Sequence, residues 1–409
     1  MKVGIIGAGL GGLTLAHGLA RRGADVEVFE RDASPYVRRQ GFRITVDEHG
    51  FAALRACLPA ELYAMVDATS GPPGGHFRIT DERLRDAVVV DFDATVDAER
   101  QVDREVLRAV LLFGLEDKVH WSTDVTSIEG TPGGSRIGID RPGDRGDRMR
   151  EFDLVVVADG IGSRLRPAVY PGAAPQQLGV GGIYGRAPLR ADGTVLLPDH
   201  LHDSGILAML PKPGLAFFAT AMRFTQAPAG ILPADAVPPG LDALGDYVMW
   251  GLIPDPAETD VLRDQGPEEL LRRARDLTVG ASPVLRGFVA SSRIADTLFS
   301  RFSAGRPGGQ RAITHATAIG DAIHPMPPLG AHGGNTALRS AQALAARLAV
   351  VPADAPEQVP AAIDAYESEM TEYATAAIRA AESQTARLTR RGVGAFALRR
   401  ILPLLRRQS

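Results

Sequence analysis

The stretch that decides the fold is KVGIIGAGLGG, at residues 2–12. Its first half is apolar and predicts a short buried strand, which a helix over residues 13–22 follows. The turn between them satisfies G-x-G-x-x-G with Gly7, Gly9 and Gly12, and Leu10 and Gly11 lie between these glycines. In this pattern Gly7 allows the tight turn, Gly9 lets a pyrophosphate approach the backbone, and Gly12 lets the helix pack on the strand. The free N–H groups at the start of the helix would then face the phosphates.

A second strand supports a dinucleotide-binding interpretation of these glycines over a plain turn. The segment 25–30, Asp25-Val-Glu-Val-Phe-Glu30, is predicted to be this strand, and Glu30 at its end lies close to the ~20-residue spacing expected for the carboxylate that accepts a ribose hydroxyl. An acidic residue at this position favours an unphosphorylated ribose, as in FAD or NAD. We assign the neighbouring Arg31 to the same cofactor-binding set.

Two later segments distinguish between FAD and NAD. The first begins with Asp159 and Gly160, directly after an apolar strand at 152–158. The second is Gly320-Asp321-Ala322-Ile323-His324-Pro325, followed by a Pro- and Gly-rich run at 327–335. Together with the N-terminal glycines and Arg104, these segments resemble the aromatic-hydroxylase-like, single-component (group A) flavin monooxygenases, in the same order and at similar separations. The resemblance covers residues 1–350 and is vague over 176–287.

The resemblance implies a place for each motif around FAD. Asp321 would lie at the ribityl or ribose region, Arg104 near the pyrophosphate, and the backbone of Val125 beside the adenine. Asp159 would support the pyrophosphate side, and Arg43 would lie near the isoalloxazine ring or its entry path. A helix beginning near 333–335 would direct its N–H groups at the flavin ring. The cofactor-binding residues expected in this way are Gly7, Gly9, Leu10, Gly11, Gly12, Glu30, Arg31, Arg43, Arg104, Val125, Asp159, Asp321, Pro328, Gly330, Gly333, Gly334 and Asn335.

The run before Asn335 departs from the family's pattern, because Ala331 and His332 replace its first glycine and the residue after it. His332 is therefore a candidate for contact with flavin or substrate, and with Arg43 it forms the short list of catalytic candidates. Arg43 could equally form an ordinary surface salt bridge. His324 has two interpretations, a structural brace for its loop or a contact with substrate or flavin.

The whole chain is expected to be an α/β protein with a Rossmann-like, GR2-type FAD-binding domain. We assign residues 1–175 and 288–350 to that domain, 176–287 to an inserted antiparallel β-sheet substrate lobe, and 351–409 to C-terminal helices. Short β-like runs in the lobe carry aromatic and methionine side chains that either form core or line an apolar pocket. The candidates for the pocket are Met209, Phe218, Met222 and Trp250.

Composition excludes several classes of function. The net charge of −4 and the pI near 6.2 do not favour a nucleic-acid partner. The single cysteine, Cys57, excludes a disulfide framework and a Cys-based metal site, and no metal is expected. With no signal-peptide pattern and no long apolar run, we expect a cytoplasmic location without stable membrane attachment. The basic, amphipathic segment 399–407 is expected to pack on the protein itself or on a partner subunit, in a monomer or homodimer.

These observations predict a monooxygenase. The resemblance implies that NADPH or NADH reduces FAD and that a flavin C4a-hydroperoxide delivers one oxygen atom of O2 to a small, aromatic or polycyclic substrate. Hydroxylation, epoxidation and Baeyer–Villiger insertion are not separated by the sequence. A flavin reductase or dehydrogenase on the same fold, a plain NAD-dependent dehydrogenase, and a non-catalytic flavin- or ligand-binding protein are the alternatives.

Overall fold

A computed structural model describes residues 1–37, 41–72, 75–92, 99–143, 148–189, 204–210, 215–239, 245–352 and 355–389. The expected C-terminal segment 399–407 lies outside these residues. The strands in the described ranges are β1 (Lys2–Ile6), β2 (Asp25–Phe29), β3 (Arg43–Val46), β4 (Gly75–Asp81), β5 (Asp86–Phe92), β6 (Arg100–Asp103), β7 (Val119–His120), β8 (Asp124–Thr131), β9 (Gly134–Asp140), β10 (Arg148–Phe152), β11 (Leu154–Val157), β12 (Gln176–Pro188), β13 (Ser204–Met209), β14 (Ala216–Met222), β15 (Tyr247–Ile253), β16 (Thr297–Ala304) and β17 (Ala316–Ala318). The helices there are α1 (Leu10–Ala20), α2 (Glu48–Cys57), α3 (Ala60–Thr69), α4 (Arg104–Leu112), α5 (Arg166–Val169), α6 (Pro256–Leu262), α7 (Pro267–Leu277), α8 (Pro283–Ala290), α9 (His332–Leu348) and α10 (Val359–Thr389). Among these helices, none combines the length and the apolar character that crossing a bilayer requires.

The first sheet confirms the predicted Rossmann-like fold. Its strand order is β17-β11-β1-β2-β7, and every neighbouring pair is parallel. All four residues of β11 are fully buried, and the antiparallel sheet β10-β9-β8 packs against the first sheet, β9 on β11 and β10 on β1. The carboxyl ends of β1, β11 and β17 therefore meet at one edge, where α/β proteins bind their ligands.

The second sheet is larger than the predicted lobe. Its order is β16-β12-β15-β14-β13-β4-β5, so it takes β4 and β5 from before residue 176 and β16 from after residue 287. The pairing is antiparallel except between β13 and β4, which run parallel. A strand pair distant in the chain gives no local signal, which is why these segments were assigned to the FAD-binding domain.

The two faces of the second sheet have different neighbours. Side chains alternate along each strand, so Phe217 and Trp250 point toward α6, α7 and α8 and join the core of the lobe. The opposite face, with Met222 and Tyr247, packs toward the first sheet and its core.

Helix α10 closes the first domain. Tyr366 is fully buried, and its hydroxyl donates a hydrogen bond to the carbonyl of Ala318 at 3.0 Å. Ile363, Met370 and Ala374 on the same helix are also buried, so α10 forms part of the main core.

Candidate active site

The glycine loop after β1 has the geometry that its spacing predicts. Gly7 has φ of 112°, and a Cβ there would lie 2.4 Å from the carbonyl oxygen of Ala158. A Cβ on Gly12 would lie 2.2 Å from the carbonyl oxygen of Gly7. Gly9 differs, because nothing lies within 4 Å of its Cβ position, directly at the N-terminus of α1. Gly7 and Gly12 are thus required by the fold, whereas Gly9 borders open space that fits a pyrophosphate.

Leu10 and Gly11 belong to the packing of α1. Leu10 is buried, and the Cβ position of Gly11 lies 3.4 Å from the carbonyl oxygen of Ala337 on α9. These two residues join α1 to the second helix that borders the cleft.

Glu30 lies beside the glycine loop at the end of β2. Its carboxylate accepts hydrogen bonds from the backbone N–H of Ala8 and of Asp32, each at 3.0 Å. Arg108 on α4 lies 3.7 Å from the same carboxylate and donates a hydrogen bond to the carbonyl of Ala8 at 2.9 Å. Glu30 therefore braces the loop, and its contact with a ribose remains a prediction. Arg108 was not found from the sequence because its partner lies far away along the chain.

Arg31 and Val125 lie on either side of this region. Arg31 is exposed, and its charge lowers the pKa of Asp159, although burial raises that pKa overall. Val125 is buried on β8, whose approach to Glu30 is fixed by a hydrogen bond from Thr123 N–H to the Glu30 carbonyl at 2.9 Å. Both positions agree with the adenosine side of the predicted cofactor site.

Asp159 follows β11 and carries an unused acceptor. Its Oδ1 is buried and accepts no hydrogen bond from any residue that the structure describes. The Cβ position of Gly7 lies 3.0 Å from the Cα of Asp159, so the carboxylate is next to the glycine loop. A buried acceptor without a donor is costly, and a polar ligand in the loop would supply the missing donor.

Arg104 and Asp321 form the floor of the same cleft. Asp321 is accessible to solvent, yet the surrounding protein raises the pKa of its carboxyl, and Arg104 opposes that shift. Burial, assisted by Arg108, lowers the pKa of Arg104 to about 10. Solvent reaches both side chains although protein atoms surround them, which is typical of residues that line an open cleft. Its charges fit the phosphate and ribityl portions of FAD.

The N-terminus of α9 borders this cleft. The helix begins at His332, slightly earlier than expected, because Ala331 adopts a left-handed conformation with φ of 56°. No side chain caps the helix, so its first N–H groups are free to bind an anion or a carbonyl. The Cβ position of Gly333 lies 4.0 Å from Asp321 Oδ1, and that of Gly334 lies 3.3 Å from Ile44. Pro328 and Gly330 are exposed in the loop that leads to the helix.

The side chain of Asn335 has a structural role, the connection of β3 to α9, that the sequence did not indicate. Its Nδ2 donates hydrogen bonds to the carbonyls of Thr45 at 2.9 Å and Ala331 at 3.1 Å. Its Oδ1 accepts one from the N–H of Asp47 at 3.0 Å. The side chain ties β3 to α9, so only the backbone N–H of Asn335 remains for the predicted cofactor contact.

Arg43 lies on β3 and faces the cleft. It donates one long hydrogen bond, from Nη1 to Thr45 Oγ1 at 3.3 Å, and its buried Nε has no partner in the described residues. Burial lowers its pKa to about 10. Arg43 forms no ion pair with any residue that the structure describes. The alternative prediction of a surface salt bridge is therefore wrong for these residues.

The substrate-pocket candidates divide between the two faces of the second sheet. Trp250 is a wrong prediction, since it is fully buried on the helix-covered face and its Nε1 donates to Ser292 Oγ at 2.7 Å. Met222 lies on the cleft side but is also fully buried, so it offers no surface to a substrate. Met209 and Phe218 are half-buried, on the face that points toward the first domain, and remain candidates.

A buried polar cluster joins β6 and α4 to the second sheet. Tyr247 donates a hydrogen bond to Asp103 Oδ2 at 2.5 Å, and Oδ1 of Asp103 caps α4. Arg186 lies between the rings of Phe42 and Tyr247, 3.4 Å from Asp296. The local signal for Asp103 is an acidic residue at the N-cap position before α4. No neighbouring residue indicates its contacts with Tyr247 and Arg186, which lie far away along the chain.

His324 proves to be a structural brace. It is fully buried, its Nε2 lies 2.9 Å from Ser340 Oγ, and Ser340 in turn contacts Tyr373 on α10. Burial lowers the pKa of His324 to about 4, so the imidazole is neutral near pH 7.

Comparisons with known proteins agree with this geometry. Residues 5–67 match an NAD(P)-binding Rossmann-like domain, and residues 315–381 match an FAD binding domain. The chain is 28% identical to the FAD-dependent monooxygenase nscC of Neosartorya fischeri, over 84% of this chain and 85% of that protein. It is 26% identical to the dual O-methyltransferase/FAD-dependent monooxygenase CTB3 of Cercospora beticola, of whose length it spans only 41%.

Solved structures give the same result. A putative FAD-containing monooxygenase from Photorhabdus luminescens has a TM-score of 0.78 at 28% identity, covering 94% of this chain and 98% of that one. HpxO of Klebsiella pneumoniae, complexed with FAD and uric acid, has a TM-score of 0.76 at 19% identity, covering 100% of this chain and 93% of that one, and supports the fold alone. The chain is therefore similar to FAD-dependent monooxygenases in both sequence and fold.

Proposed function

We propose that the protein is an NAD(P)H- and O2-dependent monooxygenase that inserts one oxygen atom into a small aromatic or polycyclic substrate. The observation that carries this proposal is that the elements bearing the motifs meet at one edge of the first sheet. The open space at Gly9, the pair Arg104 and Asp321, and the free N-terminus of α9 all border it. The half-buried residues Met209 and Phe218 lie on the sheet face turned toward the same domain.

Backbone N–H groups at two helix N-termini, an arginine and an aspartate would bind FAD. The N–H groups at the start of α1 would bind the pyrophosphate, with Arg104 beside them, and Asp321 would accept a hydrogen bond from a hydroxyl of the cofactor. The N–H groups at the start of α9 would stabilise negative charge on the ring. When bound, FAD would supply the redox chemistry with NAD(P)H and O2, which amino-acid side chains cannot perform.

The protein's own residues would bind and orient the substrate. Arg43 presents a positive charge with an unused N–H to the cleft. The half-buried apolar residues on the opposite wall would bind the flat part of a substrate and exclude water from it. The electron donor would bind transiently, because the matched Rossmann segment 5–67 contains the same glycines that are assigned to FAD.

The proposal is tested by the visible spectrum of the purified protein, before and after NADPH or NADH is added in air. We expect flavin absorption that bleaches with donor and recovers while oxygen is consumed. A panel of mono-, bi- and tricyclic phenols, incubated under 18O2, should give a product that carries one labelled oxygen atom.

Two results would contradict the proposal in different ways. Protein that is colourless and takes up no added FAD would remove the cofactor assignment. Donor-dependent bleaching with no label in any product, and with all consumed oxygen recovered as hydrogen peroxide, would instead indicate a flavin reductase or dehydrogenase.

A further inference from the structure

Strands β3 and β6 form a two-stranded antiparallel ribbon with one polar face. Arg43 pairs with Asp103, and Thr45 pairs with Gln101. Continuing this register by one residue beyond the pair Val46 and Arg100 places Asp47 opposite Glu99. We call these six residues the ribbon face: Arg43, Thr45, Asp47, Glu99, Gln101 and Asp103. The buried residues Val46 and Val102 point to the other side, into the core, because side chains alternate along a strand.

Four residues of the ribbon face are already occupied. Asp103 accepts the hydrogen bond from Tyr247 and caps α4. Asp47 caps α2 by accepting from the N–H of Gly50 at 2.9 Å. Thr45 donates to Gln101 Oε1 at 3.3 Å. The two charged residues of the ribbon face that remain are Arg43 and Glu99.

Arg43 and Glu99 differ in the hydrogen bonds that they can still form, because Arg43 can donate and Glu99 can accept. Arg43 has an unused N–H donor, its buried Nε. Glu99 is accessible to solvent and accepts no hydrogen bond, and forms no ion pair, among the residues that the structure describes. Arg43 and Glu99 form no ion pair with each other, although each lies close enough to affect the pKa of the other, and the pair Thr45 and Gln101 lies between their positions on the ribbon.

The surroundings of Glu99 favour its taking up a proton. Burial by the surrounding protein raises the pKa of its carboxyl, and Asp47 across the ribbon raises it further. His332 at the start of α9 and Arg43 oppose this shift. A carboxylate whose pKa is raised is a better match for the proton of an acidic hydroxyl than an ordinary glutamate.

We propose that Glu99 and Arg43 act together on an acidic hydroxyl of the substrate, with Glu99 as proton acceptor and Arg43 as the binding site of the resulting oxyanion. The inference rests on the proposed function and specifies its substrate as a phenol or an enol. The substrate O–H bond breaks, the proton moves to a carboxylate oxygen of Glu99, and the electron pair stays on the substrate oxygen. Nothing is oxidised or reduced in this step. The phenolate or enolate so formed is more nucleophilic at carbon than the neutral molecule, which prepares it for oxygen insertion.

The experiment uses 4-nitrophenol with the FAD-loaded full chain, without NAD(P)H, so that no turnover occurs. Its neutral and anionic forms differ in colour, and absorbance therefore reports the form that is bound. Calorimetry in two buffers of different ionisation enthalpy reports how many protons are exchanged with solvent. Below the pH at which the free probe ionises, we expect the wild type to bind the coloured anion without releasing a proton.

Two variants separate the roles. In Glu99→Gln the anion should bind only with release of about one proton per probe, so its affinity should fall about tenfold for each unit by which the pH is lowered. In Arg43→Leu the bound anion should disappear and affinity should fall about tenfold or more. Arg43→Lys should retain part of the anion binding. Glu116→Gln and Arg263→Leu, which change exposed residues away from the cleft, should behave as wild type.

The inference is overturned if the wild type binds only the neutral probe or shows no saturable binding at millimolar concentration. It is also overturned if Glu99→Gln exchanges the same number of protons as the wild type, or if Arg43→Leu keeps the bound anion. FAD content and donor-dependent bleaching are measured on the same preparations. Normal flavin behaviour with no probe ionisation would reject this inference alone, whereas absence of both would reject the proposed function.

Discussion

At the scale of single residues, the glycines of the first loop have different reasons to be glycine. Gly7 and Gly12 would bring a Cβ against backbone carbonyls, so any side chain there disturbs the fold. Gly9 has φ of −82° and an open Cβ position, so the protein itself tolerates a side chain. We therefore expect that a bound ligand, rather than the fold, requires glycine at this position.

This difference predicts that Gly9→Val folds but loses its flavin. We expect an unfolding free energy within about 1 kcal/mol of wild type, since only the N-cap position changes. FAD affinity should fall at least tenfold, because the valine side chain occupies the approach of the pyrophosphate. Flavin content and urea unfolding measure the two effects. Gly133→Val, at another open position in the turn after β8, is the control, and full flavin content in Gly9→Val would contradict the assignment.

Asp103 predicts a distinctive dependence of stability on pH. Burial raises the pKa of its carboxyl from an ordinary 3.8 to about 6. The folded state then binds a proton more tightly than the unfolded state, so this carboxyl lowers stability as pH rises from about 4 to about 6. Asn at this position keeps the cap of α4 and the contact with Tyr247 but cannot ionise.

We therefore expect the wild type to lose up to about 3 kcal/mol relative to Asp103→Asn between about pH 4 and pH 7. Urea unfolding of both proteins at several pH values measures the difference. Stability curves that run parallel over this range would show that Asp103 has no raised pKa.

At the scale of elements, the cleft depends on the attachment of β3 to α9. Asn335 provides three hydrogen bonds for this attachment, and Ile44 packs against Gly334 beside it. The ribbon face and the free N-terminus of α9 are thereby held next to one another. Helix α9 is in turn braced against α10 through Ser340.

Asn335→Asp should weaken this attachment. The change replaces a donor of two hydrogen bonds by a carboxylate oxygen that faces two carbonyls, and it leaves buried groups without partners. We expect a loss of about 2–4 kcal/mol of unfolding free energy, together with weaker FAD binding. The control Gln265→Glu changes an exposed amide to an acid and should alter stability by less than about 0.5 kcal/mol. Equal stability of the two variants would refute the role of Asn335.

At the scale of the whole molecule, two cores are joined across the cleft. The polar cluster of Asp103, Tyr247 and Arg186 lies at their junction, where Tyr247 donates a hydrogen bond to Asp103 and Arg186 lies 3.5 Å from Glu105 and 3.4 Å from Asp296. Helix α10 completes the first core from the far end of the chain. The residues assigned to the cofactor end at Asn335, and helix α10 ends at Thr389.

Two truncations test this arrangement. A chain that ends at Thr389 should retain FAD and its melting temperature, because it keeps every described contact of the cleft. A chain that ends at Gln358 lacks α10, and the core surface that Ile363 and Tyr366 cover becomes exposed to solvent. We expect this chain to lose cooperative unfolding. Circular dichroism and flavin content distinguish these outcomes. Loss of FAD in the longer chain would show that the tail contributes to the site.

Local patterns were sufficient for much of the fold. The strand–glycine–helix unit, the buried strand β11, the runs that became β12 to β15, and the long helix α10 are each announced by neighbouring residues, since period and turn chemistry are local. The motifs also identified Gly9, Asp159 and Asp321, which the structure brings to one cleft. Trp250 was misplaced because an alternating strand does not reveal which of its faces is covered by helices.

The sequence by itself determined the nucleotide-binding unit, the cofactor class and the order of the motifs. These depend on backbone conformations and capping groups that a few consecutive residues specify. Only the tertiary structure decided the extent of the second sheet, the hydrogen bonds of Asn335 and the position of Glu99 and Arg43 on one face of the ribbon. These depend on contacts between segments far apart in the chain, whose register and facing direction are set by the packing of the two cores.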